Sequence, residues 1–161
     1  MAIVYHVHGA AKVYIGAALL GYSVDGIQMD FNHYYGEYFS DDSGPSIPGL
    51  VLQQGSDAKV TCRMIKYDLT VMESVSRGVN NGTFGVNNNT DIGDPIAQCN
   101  QTFALNIQKT TLCHGETEGD WKFPSAYLVD THSVTVGTRA TEHILVFRCL
   151  PNASGVLFTK T

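Results

Sequence analysis

Three consecutive stretches decide the fold: VYIGAALLGYSVDGIQMDF at 13–31, NHYYGEYFSDDSGPSIPGLVLQQGS at 32–56 and DAKVTCRMIKYDLTVMESVSRGV at 57–79. The first reads as two short strands turning at Gly16 and Gly21. Its second strand carries Tyr22, Val24, Ile27, Met29 and Phe31. The step from Val24 to Ile27 crosses an Asp25-Gly26 pair. That pair predicts a bulge that shifts the inward face by one residue. In the third stretch Ala58, Val60, Cys62 and Met64 alternate with Lys59, Thr61 and Arg63. A period of two marks a strand with one buried face and one wet face. The middle stretch is expected to be a long inter-strand loop. It holds Tyr34, Tyr35, Tyr38, Phe39, Ile47, Leu50, Val51 and Leu52. A loop of that length in a compact domain is functional or disordered, and a solvated linker would not need those apolar side chains.

Outward from this region the pattern stays β. Residues 1–12 alternate roughly and suit a first strand or an arm. Asp68 offers an N-cap, Leu69, Met72, Val75 and Val79 form a helical stripe, and Gly78 can close it. This predicts one short flanking α-helix at about 68–78. Residues 80–95 are rich in Asn and Gly and have no period. Phe103, Leu105 and Ile107 alternate with Asn106 and Gln108, and Gly115 to Asp120 make a turn. Trp121, Phe123, Tyr127 and Val129 begin a further strand pair. Val134 and Val136, then Leu145, Phe147 and Cys149, then Val156 and Phe158, complete a series of short strands. About eight short strands, frequent turns and one helix predict a single domain over 1–161, an antiparallel β-sandwich or barrel. No internal repeat or linker interrupts it.

Composition narrows the function classes. The chain has 161 residues, enough for one sizeable core. Hydrophobic residues make up 43% and charged residues 16%, and so much neutral surface favours assembly. A net charge of −5 lacks the basic footprint of a protein that grips nucleic acid through phosphates. It suits a surface past which DNA slides. The most apolar stretch, Ala2 to Val24, is broken by His6, His8 and Lys12, so no membrane span is expected. No basic residue precedes it, so it makes a poor signal peptide. The expectation is a chain that folds in a cytoplasm, with Cys62, Cys99, Cys113 and Cys149 reduced. Cys62 and Cys149 occupy alternating apolar positions and read as buried thiols.

Candidate chemistry is thin. Cys113-His114, with His6, His8, His132 and His143 elsewhere, has no C-x-x-C spacing for zinc. Neighbouring strand residues face opposite ways, which makes Cys113-His114 a poor nucleophile pair. Asp41-Asp42, in a run interrupted by Pro45 and Pro48, suits an Asx-type turn better than a cation loop. Phosphate-loop, dinucleotide, serine-hydrolase and zinc-protease motifs are absent from the sequence. The expectation is a protein that is no enzyme and needs no metal or cofactor. Asn81, Asn88, Asn100 and Asn152 begin N-glycosylation triplets. An Asn- and Thr-rich chain also produces these by chance.

The order G-Y-x-x-D-G-I at Gly21 to Ile27, then Asp41-Asp42 with Gly44 and Pro45, then Gly55 opening an alternating strand before a short helix, resembles the phage tail tube proteins and related tail-structural proteins. So do Trp121-Lys122-Phe123-Pro124 with Ala126, Val136-Gly137-Thr138, and Phe147-Arg148-Cys149-Leu150-Pro151. The resemblance covers most of the chain and lies in glycines, prolines and strand patterns. It implies a virion protein of the tail, assembled in the host cytoplasm. Copies would form rings of six, stacked into a tube that conducts DNA. Its partners would be further copies, other tail proteins (sheath or tail-completion, baseplate) and DNA only as passing cargo. It implies that Tyr38, Phe39, Ile47, Leu50 and Val51 on the loop contact a neighbouring ring or subunit. Trp121 and Phe123 are expected to be core or interface anchors, because large aromatics bury much area. Two alternatives stay open. One is another virion β-protein, from the neck, the tail-completion complex or the capsid decoration. The other is a secreted carbohydrate-binding sandwich, with Tyr34, Tyr35, Tyr38 and Trp121 stacking on sugars.

Overall fold

The computed structural model describes residues 3–7, 11–39, 50–68, 70–72, 79–80, 83–84, 102–109, 120–129 and 142–161. The strands are β1 (Ile3–Val7), β2 (Ala11–Ile15), β3 (Ala18–Tyr38), β4 (Leu50–Tyr67), β5 (Val79–Asn80), β6 (Thr83–Phe84), β7 (Phe103–Lys109), β8 (Trp121–Leu128), β9 (His143–Cys149) and β10 (Thr159–Lys160). The protein is mainly β, a sandwich- or barrel-like antiparallel sheet. β5 and β6 form a separate two-stranded ladder.

β3 and β4 are the longest strands, and the sheet is organised on their pairing. β2 and β1 follow one another along one edge of β3, Lys12 opposite Tyr22 and Tyr5 opposite Met29. β4 occupies the other edge, from Gly21–Tyr67 to Tyr38–Leu50. β2 then pairs with β7, β7 with β8, β8 with β9, and β9 with β4. The ladder thus returns to the strand pair from which it started. Much of the body's edge is satisfied within the chain, rather than left for a neighbour to pair.

Alternation along these strands builds the core. Val13, Met29, Val60, Leu105, Ile107, Phe123 and Phe147 are fully buried. Each occupies an inward position of a half-buried strand, and side chains of about this size contribute roughly 1.5–3 kcal/mol each on burial. The bulge expected at Asp25-Gly26 is present. Asp25 has φ 62° and Gly26 φ 87°, and the β3–β4 register jumps there from Ser23–Met64 to Ile27–Cys62. Beside it, the buried Ser23 hydroxyl accepts a hydrogen bond from the Ala11 amide at 3.2 Å. Pro124 sits inside β8, where it can give no ladder hydrogen bond. The β7–β8 register is irregular at that point, between Phe103–Ala126 and Leu105–Phe123. The Ala104 carbonyl instead accepts from the Gly16 amide at 2.7 Å.

Several expectations need correction. The stretch 32–56 is not a plain loop: β3 continues to Tyr38 and β4 starts at Leu50. Only 40–49, which includes Ile47, lies outside the described residues. Gly21 is an interior residue of β3, and the turn between β2 and β3 is made by Gly16 at φ 60°. Val156 and Phe158 precede the last strand rather than forming it. Of the helix expected at 68–78, Thr70–Met72 are helical and 73–78 lie outside the described residues. The Asp68 carboxylate caps that turn, accepting from the Thr70 and Val71 amides at 2.9 and 3.2 Å. Val134 and Val136, and Cys99, Cys113 and His114, also lie outside the described residues.

Candidate functional site

Beyond Phe31 and Ala58 the β3–β4 ladder leaves the sheet as a two-stranded arm. Asn32 to Tyr38 pair with Asp57 down to Leu50. At strand spacing the arm reaches roughly 20 Å. Side chains alternate across it. One face carries Tyr34, Tyr38, Leu50 and Leu52, following the cross-strand pairs Tyr38–Leu50 and Gly36–Leu52. The other face carries Tyr35, Phe39 and Val51, with His33, Glu37 and Gln53. All the large apolar side chains among these are between 46% and 55% exposed, so the described chain leaves about half of each uncovered.

The arm is held at a fixed angle by its root. Asp57 is 4% exposed although it lies on the outward face of β4. Its carboxylate accepts from Asn32 Nδ2 at 3.0 Å, from the Tyr34 hydroxyl at 3.1 Å and from Arg148 Nε at 2.6 Å. The Arg148 guanidinium also reaches the Tyr34 hydroxyl at 3.5 Å. This ties both arm strands to β9. The hydrogen bond to Asp57 raises the pKa of Arg148 above its ordinary value. On the other face of the arm, Gln53 Nε2 lies 3.3 Å from His33 Nδ1. At the Tyr34–Tyr35 step β4 carries one extra residue, Gln54. Gln54 lies over Gly36, where an added Cβ would collide with its amide nitrogen.

Below the root, the end of the core is filled with aromatic rings. Phe31 lies 4.9 Å from Phe158 and 6.2 Å from Trp121, centroid to centroid. Phe123 is fully buried beneath them. Trp121 is partly buried, packs on Phe158 at 5.2 Å and carries the Lys160 ammonium over its face. The structure therefore brings Tyr38, Phe39, Leu50 and Val51 together on the arm. It places Trp121 and Phe123 at the arm's foot, away from the exposed patch.

The Asp57–Arg148–Tyr34–Asn32 network was not legible in the sequence. Asp57 and Arg148 are 91 positions apart, and each stands alone among ordinary strand residues. Cys62 and Cys149 are free and buried. Burial pushes the Cys62 thiol up to about 12 and raises Cys149 as well, which leaves neither as a nucleophile at neutral pH. Among the described residues no group of three or more His, Cys, Asp or Glu side chains could hold a metal ion. Comparison with protein-family models, with curated proteins and with solved structures gives no match.

Proposed function

We propose that the protein is a self-assembling structural subunit, a tail tube protein of a phage or a close relative in the tail. The observation that carries this reading is the arm. Two strands leave a satisfied sheet, and apolar side chains stand half-exposed on both of their faces. Contiguous exposed apolar surface of this kind marks an interaction site. A ribbon that is apolar on both faces is best covered by inserting between two surfaces. The buried carboxylate at its root keeps it extended before it meets a partner, which lowers the ordering cost of docking. The partner in this reading is another copy of the chain. A repeated head-to-tail contact generates closed rings or open stacks. The tail-tube class is drawn from the resemblance in glycines, prolines and strand pattern, and a net charge of −5 suits a wall along which DNA moves without being held. Negative-stain microscopy of the purified protein at micromolar concentration tests the proposal. Rings or tubes are the expected outcome, and a monodisperse monomer by sedimentation at that concentration refutes it.

A further inference from the structure

At the pole opposite the arm, the start of β3 and the end of β4 enclose a pocket of about 260 Å³. Its described walls are Leu19, Leu20, Gly21, Tyr22, Tyr67 and Asp68. Leu20 is buried, whereas Leu19 and Tyr22 are exposed, so the pocket has a dry side and an open rim. Gly21 is the ladder partner of Tyr67 and brings no side chain to the space beside it. The Tyr67 ring meets the His143 ring edge-on, with centroids 5.2 Å apart, which steadies the aromatic wall.

Of these six residues only Asp68 is charged. The backbone fixes its place, because its amide donates to the Leu20 carbonyl at 2.7 Å. Its carboxylate caps the helical turn through Oδ1 alone, which accepts from both the Thr70 and Val71 amides. Among the described residues Oδ2 accepts from no group. A carboxylate has about four acceptor sites on its two oxygens, so Oδ2 is available to a donor from outside the chain. Lys12, the partner of Tyr22 in the ladder to β2, does not line the pocket.

We infer that this pocket binds a small organic primary amine, with its apolar body against Leu19, Leu20, Tyr22 and Tyr67 and its ammonium donating to Asp68 Oδ2. Apolar and aromatic walls suit a hydrophobic body, and tyrosine ring faces also attract a cation. The single charge among the walls is negative, so an acid of the same shape would be repelled. A cavity of roughly 150 Å³ admits a benzene ring, so this pocket holds one ring with a short chain. Drug-sized ligands take about 300–1,000 Å³. The site is independent of the assembly reading, because it needs no second copy.

Three probes of one shape and different charge test it: phenethylamine, 2-phenylethanol and phenylacetate. Ligand-observed saturation-transfer NMR reports their binding whether the protein is monomeric or assembled. Phenethylamine should bind saturably and about fivefold tighter than 2-phenylethanol, as one exposed ion pair allows. Phenylacetate should bind weakest. Asp68→Asn removes the charge and keeps a good N-cap side chain. In that variant phenethylamine should fall to the affinity of 2-phenylethanol, which should itself be unchanged. Tyr22→Ala, at an exposed position, should weaken both by removing one wall. Circular dichroism checks that each variant folds; if Asp68→Asn does not, the ranking of the three probes on the wild type decides. Phenylacetate binding as tightly as phenethylamine, an amine affinity untouched by either variant, or no saturable binding of any probe would overturn the inference. A wild type that forms rings or tubes and binds none of the probes leaves the assembly reading standing. A wild type that binds the amine and stays monomeric overturns the assembly reading alone.

Discussion

Asp57 faces outward yet is almost buried, because Asn32, Tyr34 and Arg148 close over it. Removing one partner of a buried charge pair costs more than the pair contributes, since the remaining charge is stranded. Arg148 has 45% of its side chain exposed against 6% for Asp57, and Asn32 and Tyr34 would still donate. Arg148→Ala should therefore cost about 2–3 kcal/mol, below the full penalty for a pair buried on both sides. Tyr34→Phe should cost about 1 kcal/mol. Urea denaturation of both single variants and the double variant measures this. Additive losses would mean that the contacts do not act as one network. The two thiols give a second residue-scale expectation. Cys62 rises from 9.0 to about 12 in the folded chain, so between those values the unfolded chain loses a proton that the folded chain keeps. Stability then falls with rising pH by about 1.4 kcal/mol per unit for each such thiol. Below pH 9 the effect is absent. Urea midpoints at pH 8 and pH 10.5 should separate in the wild type and move closer together in Cys62→Ala. Equal separations in the two proteins would show that Cys62 does not titrate this way.

Among the elements, strands with one dry and one wet face were legible, and the arm was not. Ala58 to Met64 alternate because the core and the solvent impose different side chains on their two faces. Residues 33–38 and 50–56 meet the same environment on both faces, so no period of two is written there, and Pro45, Pro48 and the glycines between suggested a loop. The bulge was readable because Asp25-Gly26 is a local signal: both residues take positive φ, which only a few residue types tolerate. The irregularity at Pro124 was readable in principle from the missing donor, but its effect on the facing strand needed the β7–β8 register. The root network stayed hidden because its members come from β3, β4 and β9, and no local pattern links them. The arm as an element makes its own prediction. Replacing residues 38–52 with a short Gly-Ser linker removes Tyr38, Phe39, Leu50, Val51 and Leu52, each about half exposed within the chain. The variant should keep its β-type circular dichroism and lose assembly. Normal rings or tubes from that variant, or outright unfolding, would exclude the arm as an assembly device.

Across the described residues the ladders return to the strand pair from which they start, so the proposed association would not need backbone pairing. A sheet with long open edges would assemble by pairing backbones. Here the body pairs much of its own edge, and the surface left over is side-chain surface on a projecting ribbon. Contacts of that kind are tuned residue by residue, whereas backbone pairing is largely indifferent to sequence. The run from Val13 to Ala58, which holds the whole arm and has no Lys or Arg, has a further consequence for proteolysis. Trypsin has no site there, so digestion should release residues 13–59 as one uninterrupted peptide, whether subunits are free or joined. Chymotrypsin meets Tyr34, Tyr35, Tyr38, Phe39, Leu50 and Leu52 exposed on the same ribbon. Brief chymotryptic treatment of dilute protein should therefore cut the arm first, and the concentrated assembled form should resist at those bonds. Mass spectrometry of the two digests would then show directly whether a subunit's arm is covered.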